Sequence, residues 1–193
     1  MEDELANHHY NRGCDYLHDG YYDLAIDELT KAIELDPNDA MAYDGRGIAY
    51  GEKCEYDNAT SDFNMAIEID DTRAGAYNNR AISYHNKGML DRAIMDYSKA
   101  IELSPDISMF YSNRGLAHYD NDEYMEAIAD FNMAIELGPY DLGTYTYRGE
   151  AYAAIGEFDK AIVDFDQALA LNPNDIIAYG NRVWASKLKE ESM

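Results

Sequence analysis

Pro37, Pro105, Pro139 and Pro173 stand apart by multiples of 34 residues, and Asp71 occupies the one place in that series where a proline is missing. A period of this length rules out a single-core globule. It calls for a stack of like supersecondary units, each burying a face on the next. With each proline taken as the thirty-second position, the units run 6–39, 40–73, 74–107, 108–141 and 142–175, and a partial sixth begins at 176.

Other positions recur in the same frame. The fourth reads His9, Tyr43, Tyr77, Tyr111, Tyr145 and Tyr179, and the eighth reads Gly13, Gly47, Ala81, Gly115, Gly149 and Val183. The twentieth is always alanine (Ala25, Ala59, Ala93, Ala127, Ala161), as is the twenty-seventh (Ala32, Ala66, Ala100, Ala134, Ala168). The twenty-fourth is large: Leu29, Phe63, Tyr97, Phe131 and Phe165. Spacings of three and four put each set on one helical face, so each unit reads as two amphipathic helices. Gly20, Gly88 and Gly156 fall between the two halves and suit a turn. Asp23, Asp57, Asp91 and Asp159 favour the start of the second helix, and Asp39, Asp141 and Asp175 could cap the next unit's first helix. A glycine inside a helix costs about 1 kcal/mol relative to alanine, so its return at the eighth position implies close approach by a neighbouring helix. With 18 tyrosines and few leucines, isoleucines, valines and phenylalanines, the core must be built from aromatic rings set against alanine.

Segments such as Ala76-Tyr77-Asn78-Asn79-Arg80-Ala81 and Ala127-Ile128-Ala129-Asp130-Phe131 through Pro139 resemble tetratricopeptide repeats, especially the variant with Asn-Arg-Gly in its first helix. The resemblance covers nearly the whole chain. It implies an all-α, right-handed α-solenoid of tandem antiparallel helix hairpins, expected as one domain over 1–193, with a capping helix at 176–190. It also implies a protein-binding scaffold whose first helices line a concave groove, because the family is a general interaction module rather than one with a fixed ligand.

Arginine fills the seventh position of all six units (Arg12, Arg46, Arg80, Arg114, Arg148, Arg182), and an acid fills the twenty-third of each complete one (Glu28, Asp62, Asp96, Asp130, Asp164). This pattern predicts an inter-helix ion-pair ladder; the alternative is a row of cations reaching a ligand. The sixth position carries Asn11, Asn79, Asn113 and Asn181, with Gly45 and Tyr147 in the remaining units. Carboxamides donate and accept as a peptide bond does, so such a file could hold an extended backbone. It could equally bond neighbouring helices or water. Family geometry adds Tyr10, Asp44, Ile48, Glu52, Asn78, Ile82, His85, Leu116, Tyr119, Asp120 and Glu150 to the groove. Trp184 is either an aromatic anchor at the groove end or part of an end cap, against this chain or a second copy. The second position holds Asn7, Met41, Gly75, Met109, Gly143 and Ile177, and the fifth has no lysine, unlike co-chaperone repeats that clamp a terminal carboxylate.

The charge balance, 38 acidic against 15 basic residues or −23 net, disfavours nucleic acid and anionic membrane as partners. The scattered acids read as a solvated, solubilising surface or, alternatively, as attraction to basic partners. The mixed, mildly acidic groove lining suits a basic and hydrophobic peptide. No stretch reads as a signal or membrane span, so a cytoplasmic protein is expected. Cys14 and Cys54 lack metal or redox spacing and are expected as core thiols. The histidines share no ligand spacing, and Asp120, Asp122 and Glu126 lack the glycine of a calcium loop and read as turn residues. Neither a catalytic motif nor a cofactor fingerprint is present. The expected function is therefore non-catalytic peptide or protein binding, with self-assembly as a homo-oligomer through the terminal repeats as the alternative.

Overall fold

A computed structural model describes residues 2–139 and 141–191, which form eleven α-helices among the described residues. Two compact units divide the chain at Ser104 and Pro105. The first holds α1 (Glu2–His18), α2 (Tyr22–Leu35), α3 (Ala40–Glu52), α4 (Tyr56–Ile69), α5 (Ala74–Asn86) and α6 (Leu90–Leu103). The second holds α7 (Ser108–Asp120), α8 (Tyr124–Leu137), α9 (Leu142–Ala154), α10 (Phe158–Leu171) and α11 (Ile176–Glu191).

Each pair α1/α2, α3/α4, α5/α6, α7/α8 and α9/α10 is a hairpin. Within a unit, the second helix of one hairpin packs on the first helix of the next: α2 on α3, α4 on α5, α8 on α9 and α10 on α11. Consecutive first helices also touch, α1 with α3 and α5 with α3, then α7 with α9 and α11 with α9.

The recurring alanines and the large twenty-fourth residues form the buried layer of both units, with Leu29, Phe63, Tyr97, Phe131 and Phe165 each at most 2% exposed. The glycines of the eighth position have the expected reason. A Cβ on Gly47 would stand 2.7 Å from the Phe63 ring, on Gly115 2.8 Å from Phe131, and on Gly149 2.7 Å from Phe165. Asp39 caps α3 by accepting from the Met41 and Ala42 amides at 2.9 and 3.2 Å, and Asp175 serves Ile177 and Ala178 in the same way at the start of α11.

The turn inside each hairpin needs one residue at positive φ. Gly20, Gly88 and Gly156 supply it at 77°, 71° and 80°. In the other two hairpins Cys54 and Asp122 take the same place, at 60° and 59°. This corrects the expectation of core thiols: Cys54 is exposed because it sits in a turn that glycine would ordinarily fill, and Cys14 is half-buried.

Candidate functional site

The arginine ladder is structural where its helices are complete. Arg46 clasps Asp62 with Nε and Nη2 at 2.7 and 2.8 Å, Arg80 clasps Asp96 at 2.6 and 2.7 Å, Arg114 clasps Asp130 at 2.7 and 2.6 Å, and Arg148 clasps Asp164 at 2.8 and 2.6 Å. Each guanidinium also lies over the tyrosine three residues earlier, as Arg80 lies 5.5 Å from the Tyr77 ring centre. Nη1 reaches back to the preceding hairpin. Arg46 donates to Thr30 Oγ1 at 3.0 Å, Arg80 to Asn64 Oδ1 at 2.7 Å and Arg148 to Asn132 Oδ1 at 2.7 Å. One side chain thus ties its own hairpin shut and fastens it to the last. The forked, charge-assisted bonds to Asp62 and Asp96 hold the Arg46 and Arg80 pKa above the ordinary value.

The end rungs depart from this. Arg12 is 3.8 Å from Glu28, whose carboxylate is instead held by Lys31 at 2.8 Å and His9 at 2.6 Å. Arg182, on the last helix among the described residues, pairs with Asp166, which stands where Asn64 and Asn132 stand in earlier units.

The asparagines are engaged too. Asn79 Nδ2 donates to Asp44 Oδ1 at 3.2 Å, one first helix back, and its Oδ1 accepts from Asn78 Nδ2 at 3.3 Å. Asn181 donates to Glu150 Oε1 at 2.6 Å. Of the two readings of these amides, bonding to a neighbouring helix is seen for both. Among the described residues each Nδ2 donates one such bond, which leaves its second hydrogen available. Asn78 is 2% exposed and braces Asn79 from below, a placement at odds with direct contact to a groove ligand.

In the first unit the structure brings Asn79 and Ile82 together with Ile48 and Glu52 around a cleft of about 300 Å3 between α3 and α5. Asp44 lies beside this group, held by Asn79 and, at 3.4 Å, by Arg73. Tyr10 and His85 are half-buried and Asn11 is exposed, all on first helices but outside that cleft. Tyr10 is pushed up to about 12 by burial and by a hydrogen bond with Cys14. In the second unit Asn113 lines a polar cleft of about 310 Å3 with Ser112, Asp141 and Thr144. Tyr119, Glu150 and Asn181 form a second group there. Burial raises the Glu150 carboxyl above its ordinary range, against hydrogen bonds from Asn181 and Tyr119, and burial beside Glu150 pushes Tyr119 up to about 12. Leu116 is half-buried, Asp120 is exposed and Trp184 is 51% exposed on α11.

Tyr56, Ser83, Asn86, Gly51 and Cys54 also line the first cleft and are not among the groove residues read from the sequence. Asn86 shares the thirteenth position with Glu52, and Cys54 shares the fifteenth with Gly20, Gly88 and Gly156, so register alone could have found those two. Gly51 matches no recurring glycine, but it shares the twelfth position with His85 and Tyr119, so register points to it as well. Among the described residues, no group of three or more histidine, cysteine or acidic side chains could hold a metal ion, and no helix is long and apolar enough to cross a membrane.

Family models described as tetratricopeptide repeat match residues 9–39, 74–107, 108–141 and 144–175. The chain belongs to the tetratricopeptide repeat family. Residues 40–73, between two of those matches, form the same hairpin in α3 and α4. No curated protein matches the chain. Among solved structures, Pseudomonas aeruginosa PilF is 20% identical with a TM-score of 0.86, covering 99% of this chain and 87% of its own. YrrB, described as a tetratricopeptide repeat protein with an unusual peptide-binding site, is 22% identical with a TM-score of 0.75, covering 89% of each chain. The first repeat domain of Spaghetti (RPAP3), bound to the HSP90 peptide SRMEEVD, is 26% identical with a TM-score of 0.60, covering 63% of this chain and 96% of its own. These neighbours share the all-α solenoid fold of tandem hairpins.

Proposed function

We propose that the chain is a non-catalytic, cytoplasmic interaction scaffold that holds an extended peptide or protein segment against the first helices of its repeats. One observation carries this reading. Neighbouring first helices lie side by side and present carboxamides already fixed by their neighbours, as Asp44 and Asn78 fix Asn79, next to exposed apolar side chains such as Ile82. A surface ordered before its ligand arrives loses little freedom on binding. Peptide binding by YrrB and by the Spaghetti domain supports the same direction.

The ligand favoured here is basic and hydrophobic, unlike the acidic SRMEEVD peptide. The second and fifth positions of the repeats offer no lysine, and the chain carries −23. Asn79, Asn113 and Asn181 are the proposed backbone contacts, with Ile82, Leu116 and Tyr119 as apolar ones. The test is affinity capture with wild type beside an Asn79→Ala, Asn113→Ala variant of unchanged helix content and melting. A partner held by wild type and released by the variant supports the reading; equal capture overturns it.

A second reading rests on α11, where Ile176, Ile177, Tyr179, Val183 and Trp184 are 85%, 66%, 61%, 48% and 51% exposed. Such a face is suited to self-association. Mass rising with concentration in sedimentation, and reverting in Trp184→Ala with Ile177→Ser, would support assembly through this helix. A mass that stays that of one chain across the concentration range refutes it.

A further inference from the structure

The cleft between α3 and α5 is small and open at the surface. Phe63, 2% exposed, closes it below, Ile48 and Ile82 line it, and Glu52, Asn79, Ser83 and Asn86 are among its polar residues. Gly51 contributes bare backbone, with no atom beyond its own turn of helix within 4 Å of the place a Cβ would take. At about 300 Å3 it lies at the low end of ligand sites, which run ~300–1,000 Å3, so it accommodates one side chain rather than a cofactor.

The charges are as informative. Among the described residues Glu52 accepts a single hydrogen bond, from Tyr22 at 3.1 Å, and makes no ion pair. Cations on or next to α3 and α5 have other partners among the described residues. Lys53 goes to Asp23 and Glu55, Arg73 to Asp44, Arg80 to Asp96 and Lys87 to Asp57. The cleft therefore has one carboxylate with no cationic partner in a chain already at −23. Asn79 and Asn86 are held in place by Asp44 and by the Ile82 carbonyl, and each retains unused hydrogen-bonding capacity.

We propose that this cleft is a socket for one aliphatic side chain of a positively charged peptide segment, with an adjacent lysine or arginine of that segment on Glu52 and its backbone on Asn79 and Asn86. The proposal rests on the peptide-binding reading above and narrows it to one partner chemistry. An acidic segment would bring like charge to Glu52, and a segment with no aliphatic side chain would leave the apolar walls wet.

Three fluorescein-labelled, end-blocked seven-residue probes test it: one with a central leucine among lysines and serines, one with glycine for the leucine, and one with glutamates for the lysines. Fluorescence anisotropy should show the leucine probe binding about tenfold or more tighter than the glycine probe. The glutamate probe should bind weakest. Gly51→Phe fills the cleft from a position with room for a side chain, so it should fold and melt at or above the wild-type midpoint while losing the leucine preference. In a Cys14→Ser background the leucine probe should also slow maleimide alkylation of Cys54, which lines the same cleft. Equal binding of the leucine and glycine probes, or a leucine preference that survives Gly51→Phe, overturns the socket. Lysine probes that bind without leucine preference but are lost in the Asn79→Ala, Asn113→Ala variant overturn the socket while leaving the broader reading intact. Absence of binding by all three probes, together with equal capture in the lysate comparison, removes both.

Discussion

Replacing Arg80 by methionine keeps the length of the side chain and removes its charge and its fork. In the structure Arg80 and Asp96 are 17% and 11% exposed at their side chains, so the substitution strands a carboxylate that has little water to return to. It also removes the bond to Asn64 and the cation from between the Tyr77 and Tyr84 rings, 5.5 and 5.9 Å away. Breaking one side of such a buried pair costs about 3–5 kcal/mol, most of it the isolated charge. For a chain of this size, each kcal/mol moves the thermal midpoint by about 2–4 °C, which gives a fall of roughly 6–20 °C. Circular dichroism at 222 nm should show native helix content below the transition and the lower midpoint. Because a repeat stack responds chiefly through its nearest neighbours, hydrogen exchange should quicken most in α5 and α6. The double variant Arg80→Met, Asp96→Leu removes the stranded charge and should recover most of the loss. An unchanged midpoint in the single variant, or a double variant less stable than the single, would refute the argument.

Two glycines on α3 and α9 should respond in opposite directions. Gly149→Ala puts a Cβ 2.7 Å from Phe165 and should cost about 1–3 kcal/mol by overpacking. Gly51→Ala meets no neighbour and should gain up to about 1 kcal/mol through helix propensity, both measured by urea denaturation. Cys54→Gly should stabilise by about 1 kcal/mol, because glycine takes φ near 60° without the clash an L side chain meets there; a loss of stability would contradict this. Bonds from Lys31 and then His9 pull the Glu28 carboxyl down from 4.5 to about 2. A depressed carboxylate contributes stability above its unfolded pKa and loses it as pH falls. Wild type should therefore weaken between pH 4.5 and 2 more than Glu28→Gln does, and parallel pH profiles would count against the pairing.

The buried layer was legible because a repeat samples each structural position several times. Five alanines in a row at the twentieth position, and rings or leucine at the twenty-fourth, leave one consistent register, and that register already paired Arg80 with Asp96. The candidate site was less so. Asn78 and Asn79 are adjacent and alike in the sequence, yet one is 2% exposed and the other half-buried at a cleft. Cys54 looked like a small core residue until the turn placed it at positive φ.

The amino-acid sequence by itself determined the number of hairpins, their faces, their caps and the inner rungs of the ladder, because helical periodicity and local capping act within a few dozen residues. Stacking decided the rest. Gly47 and Gly51 lie one helical turn apart on α3, but the Phe63 ring fills the space beside one and open cleft lies beside the other. Arg182 has Asp166 and not a twenty-third-position acid, since α11 is followed by no second helix among the described residues to supply one. Periodicity fixes which way a side chain points; what it meets there depends on the neighbouring helix and the surface left between them.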